Sequence, residues 1–272
     1  MKHWSLDDIE WGKFDASRVN PDTLKVIKAA SLVEHNGLDY GTYLSNVFHD
    51  DPEFQEVTRK WAVEEVQHGQ ALRRWAELAD PTFDFDAAFK AFTEGYRLPL
   101  EVDHSVRGSR SGELIARCIV ESGTSSWYTA IKDATDEPVL HELCRRIAAD
   151  ELRHYKLFYT HLKRYLDTER LGKWGRIRIA AGRVTESEDD ELAYAYYAAN
   201  GAGAAYDRQV FNHAYVTRAY PFYRAQHVDR GMAMIFKAVG LDPAGWLQRI
   251  AAKLAWRFME ARVKRLTKVA AA

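Results

Sequence analysis

The sequence predicts an all-α protein: a four-helix bundle with a crossover helix and additional helices toward its C-terminal end. Three observations lead there. Every strongly periodic segment repeats its apolar residues at helical spacing, and no run alternates as a half-buried strand would. Four of these segments are long and form two hairpins of one design. Each of the four also carries acid in its apolar stripe, in the order Glu34, then Glu65 with His68, then Glu121, then Glu151 with His154.

The elements follow in chain order. Residues 1–19 read as an irregular arm pinned to the body by Trp4, Ile9, Trp11 and Phe14. Asn20-Pro21 starts the first long helix, with Asn as the capping residue and Pro at the first helical position. It is expected to run to about Phe48, with Ile27, Ala30, Glu34, Leu38 and Gly41 on one face. Asp50-Asp51-Pro52 starts the second, whose stripe is Trp61, Glu65, His68, Leu72 and Trp75, and Asp80-Pro81 stops it. The segment FDFDAAFKAFTEGYR is a shorter amphipathic helix, and SVRGSRSG completes the crossover. A third helix begins near Ser111 with the stripe Leu114, Cys118, Glu121, Ser125 and Tyr128. Asp136-Glu137-Pro138 opens the fourth, with Ile147, Glu151, His154 and Phe158 inward.

Beyond Leu171 the composition shifts. A basic stretch, LGKWGRIRIAAGR, precedes an acidic one, TESEDDE, expected to be exposed. A Tyr-rich helical segment then contains Gly201 and Gly203, which either permit close packing or break it. The last element, after Asp242-Pro243, is amphipathic and basic. The chain thus divides into an arm (1–19), a bundle (20–168) and a C-terminal helical extension packed on the bundle (169–272).

The 272 residues suffice for a large core, and the formal net charge of −1 argues against a general nucleic-acid binder. Cys118 and Cys144 lie in apolar stretches and read as buried thiols in a reducing compartment. MKHWSLDDIEWGKFD has no signal-peptide apolar region, and no uncharged run is long enough to span a bilayer. The expected setting is cytoplasmic.

Residues three apart share a helix face, so Glu65 and His68 point one way, as do Glu151 and His154. Four carboxylates in one apolar core would repel each other and lose hydration. Two metal cations remove that conflict, and carboxylate oxygen with one imidazole per metal suits iron, manganese or a mixed pair. Glu34 and Glu121 have no His beside them and read as terminal ligands, one per metal, with Glu65 and Glu151 as bridges. A metal-bound His donates its second N–H to a carboxylate. The pseudo-two-fold pattern assigns Glu64 to His154 and Asp150 to His68. His35 faces away from Glu34, His161 reads as a rim residue, and His213 and His227 as locally hydrogen-bonded side chains.

The order Glu, Glu-x-x-His, Glu, Glu-x-x-His is the ligand set of ferritin-like di-iron or di-manganese bundles. Within that superfamily, Trp61–Gly69 and Arg146–His154 resemble the second- and fourth-helix motifs of the soluble acyl-carrier-protein desaturases. Glu121-Ser122-Gly123-Thr124 is similar to their ligand Glu followed three residues later by Thr. The resemblance covers about Pro21 to Tyr165 and leaves residues 171–272 outside it. The motif spacing is tighter than in plant-type desaturases and closer to aldehyde-deformylating oxygenases and rubrerythrin-like proteins.

The resemblance implies an oxidoreductase of the desaturase or oxygenase type. It would activate O₂ at a reduced di-iron centre and abstract hydrogen from a hydrophobic or carrier-linked acyl substrate, with an external electron donor. Thr124 would hydrogen-bond the oxygen side or relay a proton there. Tyr128, Trp61, Trp75 and Phe158 either line a pocket or are plain core. The alternative is a ferroxidase or peroxide-handling, rubrerythrin-like protein without an organic substrate, although the chain has no Cys-x-x-Cys module. A third reading is a metal-stabilised helical scaffold. A homodimer is compatible with all three.

For the basic last helix, a solvated face, a docking face for an acidic carrier protein and contact with a membrane surface compete, with the membrane the least favoured. Its apolar residues Leu247, Ile250, Leu254, Trp256 and Phe258 spread over more than one face, so the helix is expected to pack on the bundle.

Overall fold

The computed structural model describes residues 3–186, 190–201 and 203–270, and among them every regular element is helical. The helices are α1 (Pro21–His35), α2 (Gly37–Val47), α3 (Pro52–Ala79), α4 (Phe85–Gly95), α5 (Arg110–Ala134), α6 (Pro138–Glu169), α7 (Lys173–Glu186), α8 (Asp190–Asn200), α9 (Arg208–Ala219), α10 (Ala225–Ala238) and α11 (Trp246–Ala270). The expected start signals operate. The Asn20 side chain accepts from the amides of Asp22 and Thr23, Asp51 from Phe54, and Glu137 from Val139 and Leu140, while α5 has a cap the sequence reading did not name, Ser109, which accepts from Gly112. Each satisfies amides that the first helical turn leaves without partners.

Side-chain pairings fix the directions of the long helices. Asp51 meets Arg164 and Tyr165, Glu64 meets His154, and Trp75 meets Glu137, so α3 and α6 run antiparallel. Ser111 meets Glu169 and Ser125 meets Ala148, so α5 and α6 do the same. Tyr43 meets Glu113 and Tyr128 meets Glu34, which sets α1 and α2 antiparallel to α5.

The first long helix is not continuous. It breaks at Asn36, whose amide turns back onto the carbonyls of Leu32, Val33 and Glu34. The backbone comes so close to α3 here that a β-carbon on Gly37 would stand 2.6 Å from Cβ of Glu65, and one on Gly69 would collide with His35. The break rotates the register, so Leu38 is exposed, while Gly41 stays inward as expected and Gly37 and Leu44 join it. The Tyr-rich segment also divides: α8 ends at Asn200 and α9 begins at Arg208, so Gly201 and Gly203 lie in a break.

The apolar core forms two clusters. One gathers Ile27, Leu72, Trp75, Ile131, Leu143 and Ile147, and the other Leu44, Phe54, Trp61, Leu114, Phe158 and Leu162. Along every long helix the residues between these clusters are the acids and histidines singled out by the sequence. Cys118 and Cys144 are free and buried.

The arm forms three short 3-10 turns, with Ile9 buried and Trp4, Trp11 and Phe14 packed on the core. Of the C-terminal helices, α7 and α10 pack on α5, α8 packs on α1 and α4, and α11 lies across α9 and α10. In the acidic stretch, residues 187–189 lie outside the described residues. Its last acid, Glu191, is not exposed as expected but lines a cavity, where burial raises its carboxyl to about 7. No helix among the described residues is long and apolar enough to cross a membrane.

Candidate metal centre

The six predicted ligands converge. Glu34, Glu65, His68 and Glu151 form one buried group, and Glu65, Glu121, Glu151 and His154 a second, each with its ligand atoms within 4.8 Å of one another. Glu65 and Glu151 belong to both. Nδ1 of His68 lies 3.2 Å from Glu151, 3.6 Å from Glu34 and 3.8 Å from Glu65. Nδ1 of His154 lies 2.9 Å from Glu65 and 3.7 Å from Glu121. Two half-sites that share two carboxylates are the arrangement the spacing predicts.

Each imidazole is held from behind as expected. Nε2 of His154 bonds Glu64 at 2.7 Å, and Nε2 of His68 bonds Asp150 at 3.2 Å. Arg153 ties these two outer acids together, donating to both. With each Nε2–H committed to a carboxylate, the Nδ1 lone pair of each ring is left pointing inward.

The inward atoms have no such partners. Nδ1 of His68 and of His154, Oε1 of Glu65, Oε2 of Glu121 and Oε1 of Glu151 are all buried without a hydrogen bond. Buried polar atoms are almost always paired, and these five, spread over the two groups, are free to take a cation. This donor set, all oxygen and imidazole, can hold a metal ion.

The electrostatics of the metal-free cluster show the same strain. Burial, with repulsion from Glu65, pushes the Glu34 carboxyl up to about 7. Burial raises Glu121 well above its usual range, helped by Glu151, and raises Glu151, helped by Glu65 and Glu34. Against the same burial, the facing imidazoles of His154 and His68 bring Glu65 well below. Burial disfavours charge on both imidazoles, yet Asp150 with Glu151 at His68, and Glu121 with Glu64 at His154, raise them well above the usual histidine value. Without a metal, protons neutralise the excess acid. A bound cation would displace them.

No family model matches this chain, and no curated protein matches it. Its chemistry is therefore read from the side chains themselves.

Thr124 reaches the site, but toward a carboxylate: Oγ1 donates to Oε2 of Glu151 at 2.6 Å. Tyr128 does the same for Glu34, donating to Oε1 at 2.6 Å, a role that a helical stripe of aromatics does not reveal. Of the other aromatics, Trp75 is core, bonded to Glu137 at 2.7 Å, while Trp61 packs edge-on to Phe158 and His154. Trp4 is a further unforeseen participant. Its ring stacks over His68 and its Nε1 donates to Oδ2 of Asp150 at 2.6 Å, with His3 on the same oxygen at 3.1 Å. The sequence offered only its apolar character as a signal.

The remaining histidines stay out of the site. His35 is enclosed by Phe85 and Phe89. His161 is buried against Phe54 and Arg164 and is not at a rim. His227 accepts the Arg224 amide and bonds Asp133 at 3.0 Å. His213 sits on α9, away from both groups.

Beside the cluster lies a cavity of about 330 Å³, open to the surface and lined by α1, α5 and the C-terminal helices. Glu34, Thr124 and Tyr128 form part of its wall next to the metal-ligating groups. Ile119, Trp127, Val228, Ile235 and Met259 make much of the remainder apolar, while Arg183, Glu186, Glu191 and His227 add charged and polar groups.

Proposed function

We propose that this chain is a ferritin-like four-helix bundle that binds two iron ions and activates O₂ to oxidise an apolar organic substrate, manganese or a mixed pair being the variants that the same ligands accept. The observation that carries the reading is the set of inward, unpartnered donor atoms in two half-sites, directly beside an apolar cavity. Glu34 and His68 would hold one ion, Glu121 and His154 the other, and Glu65 and Glu151 would span both. Two irons so held would supply the reduction of O₂, with electrons from an external donor, and the abstraction of hydrogen from carbon.

The chain's own residues do the rest. Tyr128 and Thr124 each donate to one oxygen of Glu34 and Glu151, which orients both carboxylates toward the metals. Glu64, Asp150 and Arg153 lock both imidazoles in the tautomer that ligates through Nδ1. The cavity would hold the substrate against the Thr124 and Glu34 side and keep water out.

The test is O₂ uptake by the iron-loaded, chemically reduced protein, with and without apolar compounds. Uptake that rises with a fitting compound, and is lost in Glu65→Ala with its iron, supports the proposal. Loaded protein that consumes no O₂ would reduce the site to a structural one. Uptake indifferent to every compound would favour iron or peroxide handling.

A further inference from the structure

The last helix leaves most of its large apolar residues outside its packed side. Its inward side is made by Gln248, Ala252, Ala255, Met259 and Leu266, mostly small or polar, with Gln248 bonded to Asp229. Ala255 and Met259 face the cavity. The outward side carries Trp246, Ile250, Leu254 and Phe258 at intervals of four residues, with Leu247 beside them. Their exposures are 68%, 50%, 59%, 61% and 51%, so this stripe is bare over three turns. The helix packs on α9 and α10, and Trp256 is half-buried, but these five residues stay outside that contact.

The stripe is bordered by cations. Arg249, Lys253 and Arg257 are exposed along its length, and Lys264, Arg265 and Lys268 continue the outward side beyond Phe258, while Glu260 is the one acid in the helix. The formal charge of the whole chain is only −1, so the positive charge is concentrated here. At the start of α7, Trp174 is 85% exposed between Lys173 and Arg176, and the Arg176 guanidinium lies against Gly240, in the turn that leads to α11.

We propose that this face docks on an anionic lipid surface, with α11 lying in the interface plane. An exposed apolar stripe edged with Lys and Arg, and tryptophan at its end, has the composition of an interfacial helix. A second copy is a poor occupant, because pairing two such faces sets six cations against six others with little acid to offset them. No described helix can span a bilayer, so attachment is peripheral. Docking places the helix that walls the cavity against the lipid. The inference does not depend on the metal assignment.

The test is co-sedimentation of the full chain with vesicles of phosphatidylcholine alone and of phosphatidylcholine mixed with phosphatidylserine. Binding to the mixed vesicles, weakened by salt, is expected, with much less to the neutral ones. The triple variant Ile250→Asp, Leu254→Asp, Phe258→Asp should lose it. Lys253→Glu, Arg257→Glu, Lys264→Glu should lower the partition at least about a hundredfold, at roughly fivefold per cation removed. All these positions are exposed, so circular dichroism and metal content should stay as in the parent. Failure of the parent to sediment with anionic vesicles overturns the proposal, as does undiminished binding by both variants. A parent dimer that the Asp variant disperses, without vesicle binding, would assign the face to a second copy. Salt-sensitive capture of an acidic protein without vesicle binding would assign it to such a partner.

Discussion

Replacing Asp150 with Asn removes one negative charge from behind His68 and leaves the size of the side chain unchanged. The carboxylate is almost completely buried and takes donors from His68, Trp4, His3 and Arg153. These hold its carboxyl well below the usual range in spite of burial. An amide can accept from His68, but it presents its own N–H₂ to one of the other donors and no longer offsets the positive charge that builds on a metal-bound imidazole. Removing a carboxylate partner of this kind costs about 10–100-fold in metal affinity, roughly 1.4–2.7 kcal/mol. Glu64→Gln at His154 should fall toward the lower end, because Glu64 is partly exposed and water can replace what is lost. Chelator competition on metal-free protein would read both affinities, and the weakened ion in Asp150→Asn should be the one held by Glu34 and His68. Trp4→Phe is the control, since it breaks the arm's bond to Asp150 and keeps the charge. Parent-like affinity at both half-sites in Asp150→Asn would refute the reasoning.

Three further outcomes follow from single contacts. Gly123 lines the cavity, and a β-carbon there meets nothing within 4 Å, so Gly123→Leu should fill the cavity with metal content unchanged and should raise thermal stability by about 1 kcal/mol through helix propensity. It should also abolish any stimulation of O₂ uptake by apolar compounds. Thr124→Val strips Glu151 of the donor on its outer oxygen and should cost about 1–3 kcal/mol in a denaturant melt of the metal-free protein, while two metals still bind. Lys28 is buried on its bond to Asp80, whose carboxyl that bond brings down to about 2 from 3.8. A lowered carboxyl stabilises the fold above pH ~4 and loses its contribution as pH falls toward ~2. Asp80→Asn should therefore be less stable than the parent at neutral pH, with the gap closing over that acid range.

The site was legible where local helical geometry decides it. Glu-x-x-His spacing places Glu65 with His68 and Glu151 with His154 on one face whatever the surroundings, and the hairpin symmetry then pairs Glu64 with His154 and Asp150 with His68. Asn20, Asp51 and Glu137 cap as read, because capping is also local. What stayed hidden depends on tertiary approach. The break at Asn36 follows from how closely Gly37 meets α3, and nothing in the stripe from Ile27 to Gly41 encodes that distance. Trp4 looked like an anchor because its partner, Asp150, is far away in the chain. Tyr128 reads as core until Glu34 is placed opposite it. On α11 the reading of apolar residues spread over several faces hides that Leu247, Ile250, Leu254 and Phe258 share one exposed side. Small residues such as Ala252 and Ala255 pack inward, a choice that hydrophobicity alone does not predict.

The most direct test of the central claim is anomalous diffraction from crystals of the iron-loaded protein, recorded at the iron edge. The account predicts two peaks between the long helices, roughly 3.5–4 Å apart. One should lie within reach of Glu34 and His68, the other within reach of Glu121 and His154, with Glu65 and Glu151 between them. A fully loaded crystal with no peak at this cluster, or with a single peak that leaves either histidine unligated, would contradict it.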